Sequence, residues 1–311
     1  MGVIDLRIVM VDDCAFVGAD IRKGLMNRGL QVDQFFFNGP SKVSTLMMAS
    51  KLRRSRYDLV HAHYCRSAIY AAYLSGKPYI AHCHGSDVRL GVSWLKRLCL
   101  KKARKKLVST PDLREILPDA TLLPNPIDSE TFYPKPILRR TGKLKVLIAS
   151  SAWIAKGTDI AIHALSKLTD KVDVSIIGYG VDYDKILNLA SSLHLKISTL
   201  PKTSHEGMRE YYWNADLILD QFRCGVVGRV FLEAVACGRP AIGYVSSDFP
   251  EYEILPLKDI DSDESLVNAI ENIEDLTNIW RPQYEYLKAN HDANVVVEKV
   301  LQIYKELCGV K

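Results

Sequence analysis

The chain has 311 residues, 48% hydrophobic and 25% charged, which suits two soluble globular domains, and its apolar runs stop far short of the ~20 residues that span a bilayer. Seven scattered cysteines without CxxC spacing, and an N-terminus lacking a basic n-region or cleavage site, argue against a disulfide framework or a secretory leader and for reduced thiols in a cytoplasm. The net charge of +5 is uneven, with +11 on residues 1–140 and −6 on residues 141–311, so the first half suits an anionic partner, nucleic acid or membrane surface.

Residues 6–11 read as a strand and 17–28 as a helix stopped by Gly29. Further strands are expected at 31–37, 57–62, 78–82, 106–109 and 121–123, with helical segments between several of them. These strands are apolar and β-branched rather than alternating, the pattern of a parallel sheet covered on both faces. The breaker-rich segment from Leu123-Pro-Asn-Pro-Ile-Asp128 to Pro134-Lys-Pro136 reads as a linker. A second series follows, with strands at 145–150, 173–177, 196–200, 216–220 and 240–244, and the chain is mostly helical from Ser262 on. The fold expected is α/β, with two Rossmann-like βαβ domains facing each other across a cleft. The domains would be residues 1–135 and 136–290, with a C-terminal helix at 291–311 placed to pack back toward the first. Ligands of such sheets sit beyond the carboxyl ends of the strands.

The strongest chemical segment is Gly225-Val-Val-Gly228-Arg229-Val-Phe-Leu-Glu233-Ala-Val-Ala-Cys-Gly-Arg-Pro240, which follows a strand ending at Asp220-Gln221. Free N–H groups where its helix begins would attract an anion. Arg229 in the first turn adds charge-assisted bonds to a phosphate. Glu233, four residues on, can accept two hydrogen bonds from a ribose diol; the plainer reading is a surface Arg–Glu pair. Lys156-Gly157, just past the first strand of the second domain, is placed to neutralise a diphosphate, or is a solvated loop lysine.

His61, His63, His82 and His84 end two strands. With Cys65 or Cys83 they offer zinc ligands, but no recognised zinc spacing is present. The expectation is no metal, with histidines that are structural or hydrogen-bonding and one, His84, facing substrate. Gly178-Tyr179-Gly180 lacks the third glycine of a dinucleotide fingerprint, which argues against a nicotinamide cofactor. Residues 89–106 read as a basic helix with Trp94, Leu95, Leu98 and Cys99 on one face. Such a helix would lie on an anionic membrane, or pack on the core with a solvated basic face. Nucleic acid is not expected, since stacking aromatics are missing from the basic run.

Taken in order, several stretches resemble the GT-B retaining glycosyltransferases of the family 4 type. They are Asp58 to Tyr64, Gly76 to Asp87, Leu123 to Asp128, Lys156-Gly157, Gly178 to Gly180 and Leu232 to Pro240. The resemblance implies transfer of a hexose-type sugar from a nucleotide diphosphate donor, UDP or GDP type, to a glycan or lipid-linked acceptor. It also implies retention of configuration, no metal and no cofactor. The second domain would hold the donor through Lys156 at the diphosphate, Glu233 at the ribose, and Tyr179, Asp220, Gln221, Gly228 and Arg229 around them. Backbone near Leu200 would meet the base. His84 would contact the transferred sugar, and Gly18, in the loop after the first strand, would let backbone approach the phosphates. Lys156 and Arg229 would assist departure of the leaving group, at the cytoplasmic face of a membrane.

Two positions depart from that pattern. Gly225 stands where the family often has a sugar-touching Glu, and Ser151 where it often has an Arg, for which Arg223 or Arg229 would substitute. They leave two alternatives open: a non-catalytic nucleotide-sugar-binding or scaffolding protein, and a GT-B nucleotide-sugar epimerase.

Overall fold

The computed structural model describes residues 6–39, 41–136 and 142–309. Residues 1–5, 40, 137–141 and 310–311 of the expected domains lie outside the described residues. Two compact units emerge, one of Met1–Pro126 with Asn290–Lys311 and one of Ile127–Ala289.

The first unit alternates strand and helix: β1 (Arg7–Val11), α1 (Val17–Met26), β2 (Gln31–Phe35), α2 (Lys42–Arg54), β3 (Leu59–His63), α3 (Ser67–Ser75) and β4 (Tyr79–Cys83). It continues through α4 (Ser86–Arg89), α5 (Trp94–Lys102), β5 (Lys105–Val108), α6 (Leu113–Ile116) and β6 (Thr121–Leu122). The second unit runs β7 (Leu144–Ile148), α7 (Thr158–Ser166), β8 (Val172–Ile177), α8 (Tyr183–Ser192), β9 (Ile197–Leu200) and α9 (Met208–Trp213). After these come β10 (Leu217–Leu219), α10 (Arg229–Ala236), β11 (Ala241–Ile242), α11 (Asp263–Glu271) and α12 (Leu276–Asn290); α13 (Ala293–Cys308) then belongs to the first unit.

Both sheets are parallel, in the orders β2-β1-β3-β4-β5-β6 and β11-β10-β7-β8-β9. Alternate side chains of one strand feed opposite cores. Ile8 and Met10 pack with Ile21, Leu25, Val297 and Tyr304, while Val9 and Val11 pack with Leu52, Val60 and Ile69. In β7, Val146 and Ile148 face Leu165 and Leu147 faces Ile218 and Leu232. Burial on both faces is why these strands lack polar alternation. The second unit has the doubly wound Rossmann order, and its strand order reverses between β7 and β10, so the ligand position lies beyond the carboxyl ends of those two strands.

The basic stretch differs from its expected form. Instead of one helix over 89–106, α4 ends at Arg89, Gly91 takes a φ of 108° and Ser93 caps α5 through Lys96 N–H, while Lys105 and Lys106 open β5. Cys99 and Leu100 are the residues α5 buries, and Trp94 is 77% exposed, so the face expected from spacing is turned by about one residue. No helix among the described residues is long and apolar enough to cross a membrane.

Candidate active site

At the strand-order reversal of the second unit, the loops after β7 and β10 are tied together. Ser150 Oγ donates to the Asp220 carbonyl at 2.9 Å, and Phe222 N–H donates to the Lys156 carbonyl at 2.7 Å. A short 3-10 turn, Ile154–Lys156, ends at Gly157, whose φ of 82° and contact with the Phe222 backbone leave no room for a side chain. This turn holds Lys156 at the rim, half-buried, with its side chain in no hydrogen bond among the described residues. Arg223 is engaged elsewhere: its guanidinium forks onto both Asp159 oxygens at 2.7 Å and also bonds the Ile154 carbonyl. Arg223, expected along with Arg229 as a substitute for the missing arginine, thus braces the turn through both outer nitrogens.

Asp220 ends β10 and is buried, with Oδ2 lacking any hydrogen-bond partner. Burial pushes its carboxyl up to about 6, against the positive charge of Lys156 and the N–H groups of Phe231 and Gly228. Gly228 caps α10; a Cβ there would lie 2.2 Å from Asp220 Oδ2, so only glycine lets this loop close on the carboxylate.

Arg229 opens α10, and Glu233 follows one turn later. The pair is not at the surface, as the plainer sequence reading had it, because Glu233 is only 3% exposed. Its Oε1 accepts from Arg229 Nε and lies 2.7 Å from His205 Nε2, and its Oε2 accepts from the Tyr212 hydroxyl at 3.0 Å. Burial raises the Glu233 carboxyl, but the His205 hydrogen bond and the Arg229 charge outweigh it and hold the group below its ordinary range. The result is a buried carboxylate kept ionised and fixed in orientation.

Tyr179 belongs to the same neighbourhood. Burial, and then the charges of Asp220 and Glu233, push its phenol up. Gly178 N–H donates to the Leu200 carbonyl at 2.8 Å, which brings the β8 and β9 carboxyl ends together. Gln221 closes its own loop, its amide donating to the Val226 carbonyl at 3.2 Å. A surface depression of about 1160 Å³ also exists, but Leu144 and Val172 line it at the amino ends of β7 and β8, the wrong end for a doubly wound sheet.

Gly18 and His84 belong to the first unit. Gly18 lies in the first turn of α1 rather than in the preceding loop, and its N–H already donates to Asp13 Oδ1 at 2.6 Å. His84 is partly exposed; its Nε2 lies 3.2 Å from His63 Nδ1 and its Nδ1 2.8 Å from Ser109 Oγ. His205 and Tyr212 were absent from the sequence reading. His205 comes from the β9–α9 connection and Tyr212 from α9 itself, where a lone His-Glu-Gly and a Tyr-Tyr-Trp run were the signal available.

Residues 129–290 match the family described as Glycosyl transferases group 1, and residues 20–131 match Glycosyltransferase Family 4. N-acetyl-α-D-glucosaminyl L-malate synthase of Bacillus anthracis is 23% identical over 232 residues, 66% of this chain and 61% of that protein; the match thus spans about three fifths of the relative's own length. Among solved structures, sucrose-phosphate synthase of Thermosynechococcus elongatus superposes with a TM-score of 0.79 at 15% identity, covering 98% of this chain and 100% of that one. Anabaena HepE in complex with UDP-glucose gives 0.73 at 16%, covering 97% and 100%. These likenesses establish a common GT-B architecture of two Rossmann-like domains. With the first match alone covering over half of its length and falling on the unit that carries Asp220, Arg229 and Glu233, the chain belongs to the glycosyl transferases group 1 family.

Proposed function

We propose that the protein is a retaining, metal-independent hexosyltransferase whose second unit binds a nucleoside diphosphate sugar. The observation that carries this reading is Glu233: a buried carboxylate, held ionised by His205 and Arg229 and oriented by Tyr212. Such a group suits a ribose diol. The diphosphate then falls to Lys156, whose ammonium makes no hydrogen bond among the described residues, and to the start of α10, where Arg229 and the helix dipole add positive charge. The bond from the anomeric carbon to the diphosphate oxygen breaks as the acceptor hydroxyl oxygen attacks on the same face. The acceptor proton passes to the departing phosphate oxygen, whose charge those groups meet without a cation. UDP is the donor nucleotide favoured, because HepE was solved with UDP-glucose. His84 is assigned to the transferred sugar and the first unit to a glycan or lipid-linked acceptor, at a cytoplasmic membrane face.

One observation supports a second reading, donor binding without turnover. Gly225 has a φ of 64°, and a Cβ there would lie 3.2 Å from the Tyr244 ring, so the glutamate often found at this position would be strained here. Thermal stabilisation by UDP, GDP, ADP and dTDP, with and without EDTA, tests the binding site. A ligand at 100 times its Kd adds about 2.7 kcal/mol. The expected result is stabilisation by one diphosphate, indifferent to EDTA and lost in Lys156→Ala. Equal stabilisation of the parent and Lys156→Ala would remove Lys156 from the site. Acceptor-dependent nucleoside diphosphate release then separates transfer from binding alone.

A further inference from the structure

Strands β3 and β4 are neighbours in the first unit, and their register pairs His63 with His82. Side chains two apart on a strand share a face, so His61 and His63 stand beside His82 and, just past the strand end, His84. The first three are fully buried. Their ring centroids are 4.2 Å apart for His61 and His63, 5.3 Å for His61 and His82, and 5.1 Å for His63 and His82. One ring nitrogen of each lies within 4.8 Å of one from each of the others. Each ring also carries a buried nitrogen with no hydrogen-bond partner among the described residues: His61 Nε2, His63 Nε2 and His82 Nδ1. Three such orphans in one place need an explanation.

The remaining nitrogens are all engaged. His61 Nδ1 lies 2.6 Å from the Tyr304 hydroxyl, His63 Nδ1 3.2 Å from His84 Nε2, and His82 Nε2 3.2 Å from Ser109 Oγ. Ser109 Oγ is also 2.8 Å from His84 Nδ1. One proton assignment that satisfies all four contacts is the following. His61 donates Nδ1–H to Tyr304, His63 donates Nδ1–H to His84, and His82 Nε2–H and His84 Nδ1–H both donate to Ser109 Oγ. That assignment leaves a lone pair on each of the three orphaned nitrogens. A metal requires that neutral, unprotonated nitrogen on each ring.

We propose that His61, His63 and His82 hold one divalent cation of the zinc class inside the first unit. Three neutral imidazoles are a zinc ligand set, and the Tyr304, Ser109 and His84 contacts are the outer hydrogen bonds that fix tautomer and ring orientation in such sites. Zinc–nitrogen bonds of about 2.1 Å set ligand nitrogens about 3.4 Å apart, so the rings, which stack with 26° between His61 and His63 and 18° between His61 and His82, turn out of their stack to bring the three lone pairs onto one ion. Asp13, whose negative charge acts on His63, partly balances the cation. This reverses the expectation of no metal, which rested on spacing along the chain; the ligands here are set by register across two strands. The cation's role is to fix His63, and through it the tautomer of His84. It plays no part at the diphosphate.

The neighbouring group of Cys65, Cys83 and Asp87 is a rival cation site. Its carboxylate is already committed, with Asp87 accepting from the N–H groups of Cys65 and Gly85 at 2.8 Å each.

The chain is produced in medium supplemented with zinc chloride or cobalt chloride, desalted, and analysed for metal per chain, with the visible spectrum recorded for the cobalt form. One metal per chain is expected, with ligand-field bands and no thiolate-to-cobalt charge transfer. Occupancy is lost in His82→Phe, kept in Cys83→Ala, and metal affinity falls about 10–100-fold in Ser109→Ala. Chains that come out metal-free, and stay so after refolding with an equivalent of zinc, overturn the proposal. So does a thiolate-dominated cobalt spectrum with occupancy lost in Cys83→Ala. Should His82→Phe fail to fold, metal content and spectrum of the parent protein decide.

Discussion

At the residue scale the site is a pair of buried carboxylates with opposite treatment. Glu233 is surrounded by donors and stays ionised, whereas Asp220 keeps one oxygen unpartnered and is raised to about 6. For Asp220 the folded state holds its proton more tightly than the unfolded chain, whose value is 3.8. Its contribution to stability is therefore complete below about pH 4 and is lost as pH rises through 6, by about 3 kcal/mol in all. Asp220→Asn removes that dependence. In urea denaturation, the stability of Asp220→Asn relative to the parent is expected to improve by about 2–3 kcal/mol between pH 4 and pH 8; an unchanged difference at the two pH values would show that Asp220 is not raised. Tyr212→Phe strips Glu233 Oε2 of its donor and is expected to cost about 1.5–3 kcal/mol, with weaker UDP binding measured by calorimetry. Wild-type stability and affinity would mean that Tyr212 does not orient the carboxylate. Lys156, Asp220, Gly228, Arg229 and Glu233 were legible because two short segments at strand ends contain them all. His205 and Tyr212 were not, since they precede Glu233 by 28 and 21 residues and only the folded chain brings them to it.

At the element scale, apolar runs located the strands well because both faces of each sheet are buried, which gives every strand the same simple signature. The basic run was misread for a related reason: Lys105 and Lys106 start β5 on strand pairing that no local periodicity reports. Local pattern likewise shows 293–308 to be an amphipathic helix, expected to pack back toward the first domain, without saying which element it meets. The contact of α1 with α13 answers that, and Gly24 is its tightest point, since a Cβ there would lie 2.5 Å from Val297 Cγ2. Gly24→Ala gains up to about 1 kcal/mol of helix propensity but forces the two helices apart, which costs about 1–3 kcal/mol. A net loss near 1 kcal/mol is expected, largely recovered when Val297→Ala is added to make room. If the double variant is as unstable as the sum of the singles, the close approach of α1 and α13 is not what glycine serves.

For the whole molecule, the charge separation of the sequence halves carries over to the two units. The unit of residues 1–126 and 290–311 carries a net +10 and the other −5. The positive unit also exposes apolar side chains next to its basic ones. Leu90 and Trp94 are 78% and 77% exposed beside Lys96 and Arg97, and on α2, Val43 and Met47 are 66% and 68% exposed with Lys42 and Lys51 on the same helix. Lysine and arginine near an anionic bilayer contribute about 1 kcal/mol each, screened beyond roughly 10 Å at 0.1 M salt, while an inserted tryptophan contributes through buried area and is insensitive to salt. The two contributions therefore separate in one experiment. Phosphatidylserine-containing vesicles should pellet the protein at low salt and release most of it at high salt, and phosphatidylcholine vesicles should pellet little. Trp94→Ser should lower binding about 5–30-fold at either salt if that ring inserts. Failure to pellet at low salt would end the membrane reading. Wild-type binding by Trp94→Ser would move the contact off α5, and the same comparison with Met47→Ser would then show whether α2 carries it.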